Sequence, residues 1–245
     1  MTIEFLLLFL LLALIAEVLG TLGGFGSSLF FIPVASYFLE YHEVLGITGL
    51  FHVSSNLTKV GFFRKGIDKN LLLYLGIPAV LLVLLGSWLS TKLQSNFLEF
   101  GLGVFTILSG VLMFVYRKKT IPRNKGITIV GGVLSGFFAG FFGTGGAIRG
   151  ITLSMYDLSM GTFIATSAAI DLAVDLSRSA VYISSGFVKW DIVYLIPLLF
   201  FVSILGTWLG KRILDRVSIH QFKAMVTVLV ILTGVFTCVE IIWNF

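Results

Sequence analysis

Apolar residues fill runs of near 20 positions that follow one another along the whole chain, separated by short polar or glycine-rich breaks. A run of that length crosses a hydrocarbon core of roughly 30 Å as a helix. The runs predict ten elements, at about 4–20, 27–39, 44–63, 70–91 and 97–116 in the first half and about 126–142, 147–157, 161–185, 190–210 and 220–243 in the second. The second element of each half is short, since the 13 residues of 27–39 reach only about 20 Å as a helix. Each follows a glycine-rich break, and glycine both weakens a helix and permits backbone angles other residues avoid. Segments 4–39 and 126–157 therefore predict helical pairs bent at glycines, re-entrant or broken in mid-membrane. Either form returns the chain to the side from which it entered.

The halves repeat. Gly20-Thr21-Leu22-Gly23-Gly24-Phe25-Gly26 matches Gly140-Phe141-Phe142-Gly143-Thr144-Gly145-Gly146, and Leu85-Gly86-Ser87-Trp88-Leu89 matches Leu205-Gly206-Thr207-Trp208-Leu209, both at an offset of about 120. Gly66 and Pro78 find counterparts in Gly186 and Pro197. The chain divides into repeats 1–119 and 120–245 of one transmembrane domain. Loop charge does not follow the repeat. Arg64, Lys65 and Lys69 are answered near Gly186 by Lys189 alone, and the nearly bare Thr91-Lys92-Leu93 is answered by Lys211, Arg212 and Arg216. Lys and Arg mark the cytoplasmic side of a membrane protein. Similar halves with opposite loop charge predict opposite insertion, an architecture of secondary transporters. The expected fold is an all-α integral membrane protein of the cell membrane with two inverted-topology repeats, each a glycine-broken helical pair plus three transmembrane helices. Loops 64–69, 117–125 and 211–219 then share the cytoplasmic side, and both termini lie outside.

Composition sharpens this. Charged residues are 12% of the chain, against roughly 25% in a soluble domain. The net charge of +5 resides mainly in those three loops, so no nucleic-acid partner is expected. The single cysteine, Cys238, lies in the last apolar run and reads as a buried small residue. The N-terminus lacks the basic start and small-residue cleavage site of a signal peptide, so the first run is expected to stay as a structural element.

Ionisable side chains inside transmembrane helices are costly and mark function by default. His52, Asn56 and Lys59 share one helix face at i, i+4 and i+7, and Asp171, Asp175 and Arg178 repeat that spacing at offset 119. Arg149 follows Gly143-Thr144-Gly145-Gly146 in the first turn of a short helix. The free N–H groups and the dipole of such a start favour an anion, and a guanidinium adds a fork of donors suited to multi-oxygen anions. Gly26, Ser27 and Ser28 offer the matching start in the first half, able to cap the helix or donate to the same anion. The expected substrate site comprises Arg149, Ser27, Asn56, Lys59, Arg178, Gly24, Gly26, Gly145 and Gly146. Asp171, Asp175, Glu17 and His52 are the candidates for ion coupling, with a proton ahead of sodium.

Plainer readings stand beside these. Asp175 and Arg178 neutralise each other, Lys59 extends to the cytoplasmic interface, His52 and Glu17 serve hydrogen-bonded packing, the glycines serve close helix contact, and Arg149 is a structural charge. Trp88 and Trp208 read as interfacial anchors. His42, His52 and His220 lack metal-ligand spacing. No metal, cofactor or catalytic residue is expected.

At its glycine breaks the chain resembles the TauE/SafE-type sulfite exporters, also called transmembrane sulfite/organosulfur permeases. The resemblance rests on Gly23-Gly24-Phe25-Gly26 followed by Pro33, on Gly143-Thr144-Gly145-Gly146, and on Phe63-Arg64-Lys65-Gly66-Ile67-Asp68 opening a helix that runs to Gly86. It extends over essentially the whole chain. It implies ion-driven export or uptake of sulfite, thiosulfate, sulfonates or related carboxylates. Ser27 stands where the family often continues with glycine, and Ala147-Ile148-Arg149 brings no proline to match Pro33. These departures bear on which anion is carried, not on the class. The expected partners are a small anionic substrate, a coupling ion and the lipid bilayer, with homo-oligomerisation left open. An anion channel, a non-transporting accessory subunit and an intramembrane enzyme are the competing readings.

Overall fold

The computed structural model describes residues 2–24, 26–63, 66–116, 120–214, 216, 231, 235 and 239. Outside the described residues lie most of the expected last helix, 220–243, with His220 and Cys238, the loop cations Arg64, Lys65 and Lys118, and both chain ends. Among the described residues every regular element is helical. In chain order these are α1 (Ile3–Gly23), α2 (Ser28–Ser36), α3 (Tyr41–Phe63), α4 (Lys69–Ser90), α5 (Ser95–Tyr116), α6 (Lys125–Phe141), α7 (Gly146–Ser154), α8 (Met160–Ser184) and α9 (Leu195–Leu214).

Local signals set the limits. Thr2, Asp68, Asn124 and Ser159 place side-chain oxygens on first-turn N–H groups of α1, α4, α6 and α8, satisfying donors a helix start leaves free. α1 stops at Gly24, whose φ of 70° is left-handed, as at many helix ends. The limits fall within a few residues of expectation, with one exception. α9 begins at Leu195 rather than near 190, because residues 190–194 form turns beside Lys189, which is held by Glu43 at 2.7 Å and Glu40 at 3.3 Å. Pro197 thereby falls in the first turn of α9, where its missing N–H costs nothing.

Both glycine-broken pairs fold back on themselves as hairpins. Phe38, just past α2, packs on Phe5 and Phe9 near the start of α1, with ring centroids 6.4 and 5.3 Å apart. The second pair closes likewise. The Ile121 N–H donates to the Met155 carbonyl at 2.9 Å, and the Thr128 and Tyr156 hydroxyls meet at 2.7 Å. The tip of each hairpin reaches the base of the other. The Tyr41 hydroxyl, after the first hairpin, donates to the Phe142 carbonyl at the second tip at 3.0 Å. A Cβ on Gly24, at the first tip, would stand 2.6 Å from the ring of Phe163, after the second hairpin. The Ser28 and Thr144 hydroxyls touch at 2.9 Å where the two tips pass.

The helices around the hairpins pack in matched sets. α1 lies on α9 and α6 on α4, α3 lies against α8, and α9 also meets α3 as α4 meets α8. Gly132, Gly136 and Gly140 of α6 lie against the carbonyls of Leu75, Ala79 and Val83, a close approach of the kind small residues allow between membrane helices. α1, α4, α5, α8 and α9 are long and apolar enough to cross a membrane. α3 is as long but buries a polar face of His52, Ser54, Ser55, Asn56 and Lys59. Outward positions such as Leu81, Leu108 and Phe201 are exposed. Arg123 pairs with Asp68 at 2.7 Å, and Lys211 lies over Phe62 and Phe63 at 5.1 and 5.3 Å. The described parts of the three basic segments, at Asp68, Arg123 and Lys211, thus gather at one end, opposite Glu40, Glu43 and Lys189.

Candidate functional site

The hairpin tips and the polar faces of α3 and α8 enclose a cavity of about 10 Å³, room for roughly one water molecule. Gly26 and Ser28 line it from the first tip and Gly143, Gly145 and Gly146 from the second. His52, Ser55, Asn56 and Lys59 face it from α3, and Asp171, Asp175 and Arg178 from α8. Arg149 enters from α7. Small residues are needed where the chain reverses. A Cβ on Gly145 would overlap the Ser135 carbonyl, while at Gly26, with φ of 92°, a Cβ would meet Asp171 and Ser28 only at 3.9 Å, so the left-handed backbone rather than space calls for glycine.

Three buried ion pairs surround the cavity. Arg149, 1% exposed, donates from Nη2 to Asp171 and from Nε to the Ser167 hydroxyl at 2.9 Å. Arg178, 2% exposed, donates from Nε to Asp175 at 2.8 Å and from Nη1 to the carbonyls of Ala139 and Gly143. Asn56 Nδ2 holds the other Asp175 oxygen at 2.7 Å. Lys59 pairs with Glu17 at 2.8 Å. Glu17, fully buried, also accepts from Ser27 and Ser55 at 2.6 Å each, Thr207 at 3.0 Å and Thr21 at 3.2 Å. Charges taken from water need this density of partners. At this site the three cations and three carboxylates balance.

The network joins the two halves. His52 Nδ1 lies 3.2 Å from Arg178 Nη2, and Nε2 lies 2.9 Å from the Ser27 hydroxyl. Asn56, Asp175, Arg178, His52, Ser27, Glu17 and Lys59 thus form one bonded network. The Arg149–Asp171 pair, Gly26, Gly145 and Gly146 line the same cavity beside it, so all but one of the residues expected at the site meet there. Gly24 is the exception. It packs on Phe163 and Ile164 and shapes the tip from behind.

Several plainer readings resolve. Asp175 and Arg178 are indeed paired, but Asn56 and His52 share the pair. Lys59 is 5% exposed and turned to Glu17 rather than extended to an interface. Ser27 gives α2 no side-chain cap, because its hydroxyl goes to Glu17. Trp88 and Trp208 lie partly exposed under Lys92 and Arg212, 5.7 and 4.0 Å from their rings. Nothing in the sequence marks Ser55, Ser167 or Thr207 as functional. A lone hydroxyl in an apolar helix is common, and only the fold shows that these three meet carboxylates or guanidinium.

A multi-pass helical protein with paired charges sealed between two opposed hairpins belongs among membrane transporters rather than among soluble binding domains. The family model "Sulfite exporter TauE/SafE" matches residues 9–237, and the chain belongs to that family. It is also 26% identical, over an alignment of 259 residues covering 95% of this chain and 96% of the relative, to a protein of Methanocaldococcus jannaschii named "Probable membrane transporter protein".

Proposed function

We propose that the chain is a secondary transporter that moves a small anion across the cytoplasmic membrane by alternating access, driven by a proton gradient. Sulfite, thiosulfate, a sulfonate or a related organic anion is the substrate class. One observation carries this reading: three buried cations, each held by a carboxylate, converge where the tips of the two hairpins meet. Arg149 is the direct ligand, and the substrate oxygens take the place of the Asp171 carboxylate on its fork. Asn56, Lys59 and Arg178 complete the anion's surroundings, Ser27 stands behind them with its hydroxyl committed to Glu17, and Gly145 and Gly146 bring the backbone of the second tip to the cavity. Because the cluster is neutral as built, an added anion would charge a low-dielectric interior unless a proton enters with it. Asp171, Asp175, Glu17 and His52 are the groups that could take that proton. The cavity must widen to admit an anion, so the compact state is an occluded stage of the cycle.

The matched helix pairings support two inverted repeats, since each contact becomes another of the set when the halves are exchanged. The basic end is cytoplasmic by the positive-inside rule, which leaves both termini outside. Purified protein in liposomes tests the proposal. The expected result is saturable sulfite flux that stops when the pH gradient is collapsed. A non-saturating anion current would identify a channel instead, and absence of flux with every candidate anion would identify an accessory subunit.

A further inference from the structure

A hydrogen-bond chain crosses from the second half to the first, and its direction is decided by its ends. Arg178 Nη2 faces His52 Nδ1 at 3.2 Å. A guanidinium only donates, so Nδ1 keeps its lone pair and the neutral ring carries its hydrogen on Nε2. Nε2 donates to Ser27 Oγ at 2.9 Å. Ser27 has one hydrogen to give, and Glu17 Oε2 accepts it at 2.6 Å. The order is Arg178 to His52 to Ser27 to Glu17, and it cannot reverse while Arg178 faces Nδ1. His52 lines the cavity, whereas Glu17 is fully buried behind it. Glu17 Oε1 is taken by Ser55, Lys59, Thr207 and Thr21, which leaves Oε2 as the oxygen open to a proton.

We propose that His52 and Ser27 relay the coupling proton from the anion cavity to Glu17, and that Arg178 gates the relay by occupying His52 Nδ1. The relay rests on the transport reading above. When a bound anion draws Arg178 away, Nδ1 takes a proton from solvent entering the cavity. Nε2 gives its hydrogen to Ser27 Oγ, and Ser27 passes its own to Glu17 Oε2. One N–H bond forms and one breaks, Ser27 exchanges one hydrogen for another, and Glu17 becomes a neutral carboxyl. Lys59, released from its partner charge, then balances the anion, so one proton enters with one negative charge. The charged groups facing the relay are Lys59 at Glu17, Arg178 and Asp175 beside His52, and Arg149 with Asp171 across the cavity. Lys59 and Ser55 also touch Glu17, but both give to Oε1, and a route through Lys59 would need an uncharged ammonium group.

The test compares two modes of sulfite movement in liposomes: accumulation driven by a pH gradient and exchange between equal pools. Ser27→Ala should lower accumulation relative to exchange on the order of a hundredfold, the low end of what a placed proton-transfer group contributes. Ser27→Thr keeps the hydroxyl and should recover most of it. Glu17→Gln, nearly isosteric, should show the same loss as Ser27→Ala and stands in if Ser27→Ala does not fold. A Ser27→Ala or Glu17→Gln protein that accumulates sulfite in the parent's ratio overturns the relay. Nitrogen-15 histidine NMR of the full chain, with His42 and His220 substituted for assignment, should show His52 neutral with its hydrogen on Nε2. A His52 carrying its hydrogen on Nδ1, or on both nitrogens at neutral pH, overturns the relay independently. If the parent moves none of the candidate anions in either mode, the transport reading fails, and the tautomer still decides the hydrogen-bond order from Arg178 to Glu17.

Discussion

Arg149 combines two demands that a single substitution separates. Its guanidinium neutralises Asp171 in a place with almost no solvent, and it is the donor fork that an anion would use. Arg149→Gln should therefore lose folded protein, because breaking a buried pair from one side costs on the order of 3–5 kcal/mol. Adding Asp171→Asn should restore most of that yield without restoring the anion site. Calorimetry with sulfite on the double variant should show binding weaker by roughly tenfold to a hundredfold, the equivalent of about 1.5–3 kcal/mol for a charge-assisted hydrogen bond. Arg149→Lys keeps the charge but not the fork and should recover only part of the affinity. Parent-like sulfite affinity in the double variant would make Arg149 structural and move the site toward Lys59 and Arg178. The sequence exposed this residue because an arginine beside a glycine break is conspicuous. It could not show that Asp171, 22 positions away, lies against the same guanidinium.

The hairpins explain why the two glycine clusters are not interchangeable with other glycines. Gly24→Val would put a branched side chain on a left-handed backbone against Phe163, and Gly145→Val would drive a Cβ into the Ser135 carbonyl. Both should reduce folded protein measured by monodisperse elution, a stronger effect than sequence alone implies, because the glycines hold the reversal itself. Gly101 reads from the sequence as a helix-packing glycine, and a Cβ there would stand 2.6 Å from the Phe142 ring, so it reports packing, whereas Gly61, with open space around it, is the neutral control. Gly61→Ala should elute as the parent does, and equal loss there would point to general helix packing. At α4 the controlling residue is Asp68, which accepts from the N–H groups of Asn70 and Leu71 at 3.0 and 3.1 Å and pairs with Arg123. Burial alone would raise its pKa, but the Leu71 N–H, Arg123 and the Asn70 N–H hold it below the ordinary carboxylate value. A lowered folded-state pKa gives stability that is present above the unfolded value, about 4, and lost as pH falls through the folded value. Asp68→Ala should cost about 1 kcal/mol in thermal unfolding near pH 7. The difference should disappear in strong acid, and its persistence there would mean that packing rather than the carboxylate is responsible.

At the scale of the molecule, the gathering of Arg123, Lys211 and the start of α4 at one end, with Glu40, Glu43 and Lys189 at the other, makes the orientation testable. Cysteines at 123 and 189 on a Cys238→Ala background should react oppositely with an impermeant reagent on intact cells: 189 labelled and 123 protected. The reverse pattern would invert the topology. Much of this architecture was readable in the chain. The limits of the described helices follow from apolar run length and capping residues, because a membrane helix satisfies its own backbone locally. The pairing of α3 with α8 follows from polar residues recurring at offset 119. Other features needed the fold. The bent pairs return the chain on themselves, and only the contacts of Phe38 with Phe5 and of Ile121 with Met155 show which residues of the two arms meet. Which carboxylate holds which cation is likewise a property of three-dimensional packing. Glu17 lies 42 positions from Lys59 yet 2.8 Å from it, while a hydroxyl 190 positions away on α9 shares the same oxygen. Sequence alone determined that these polar groups would be buried in a membrane-spanning helical protein and would need partners. Tertiary structure decided the partners, because hydrogen bonds and ion pairs act over a few ångströms and carry no signature in chain separation.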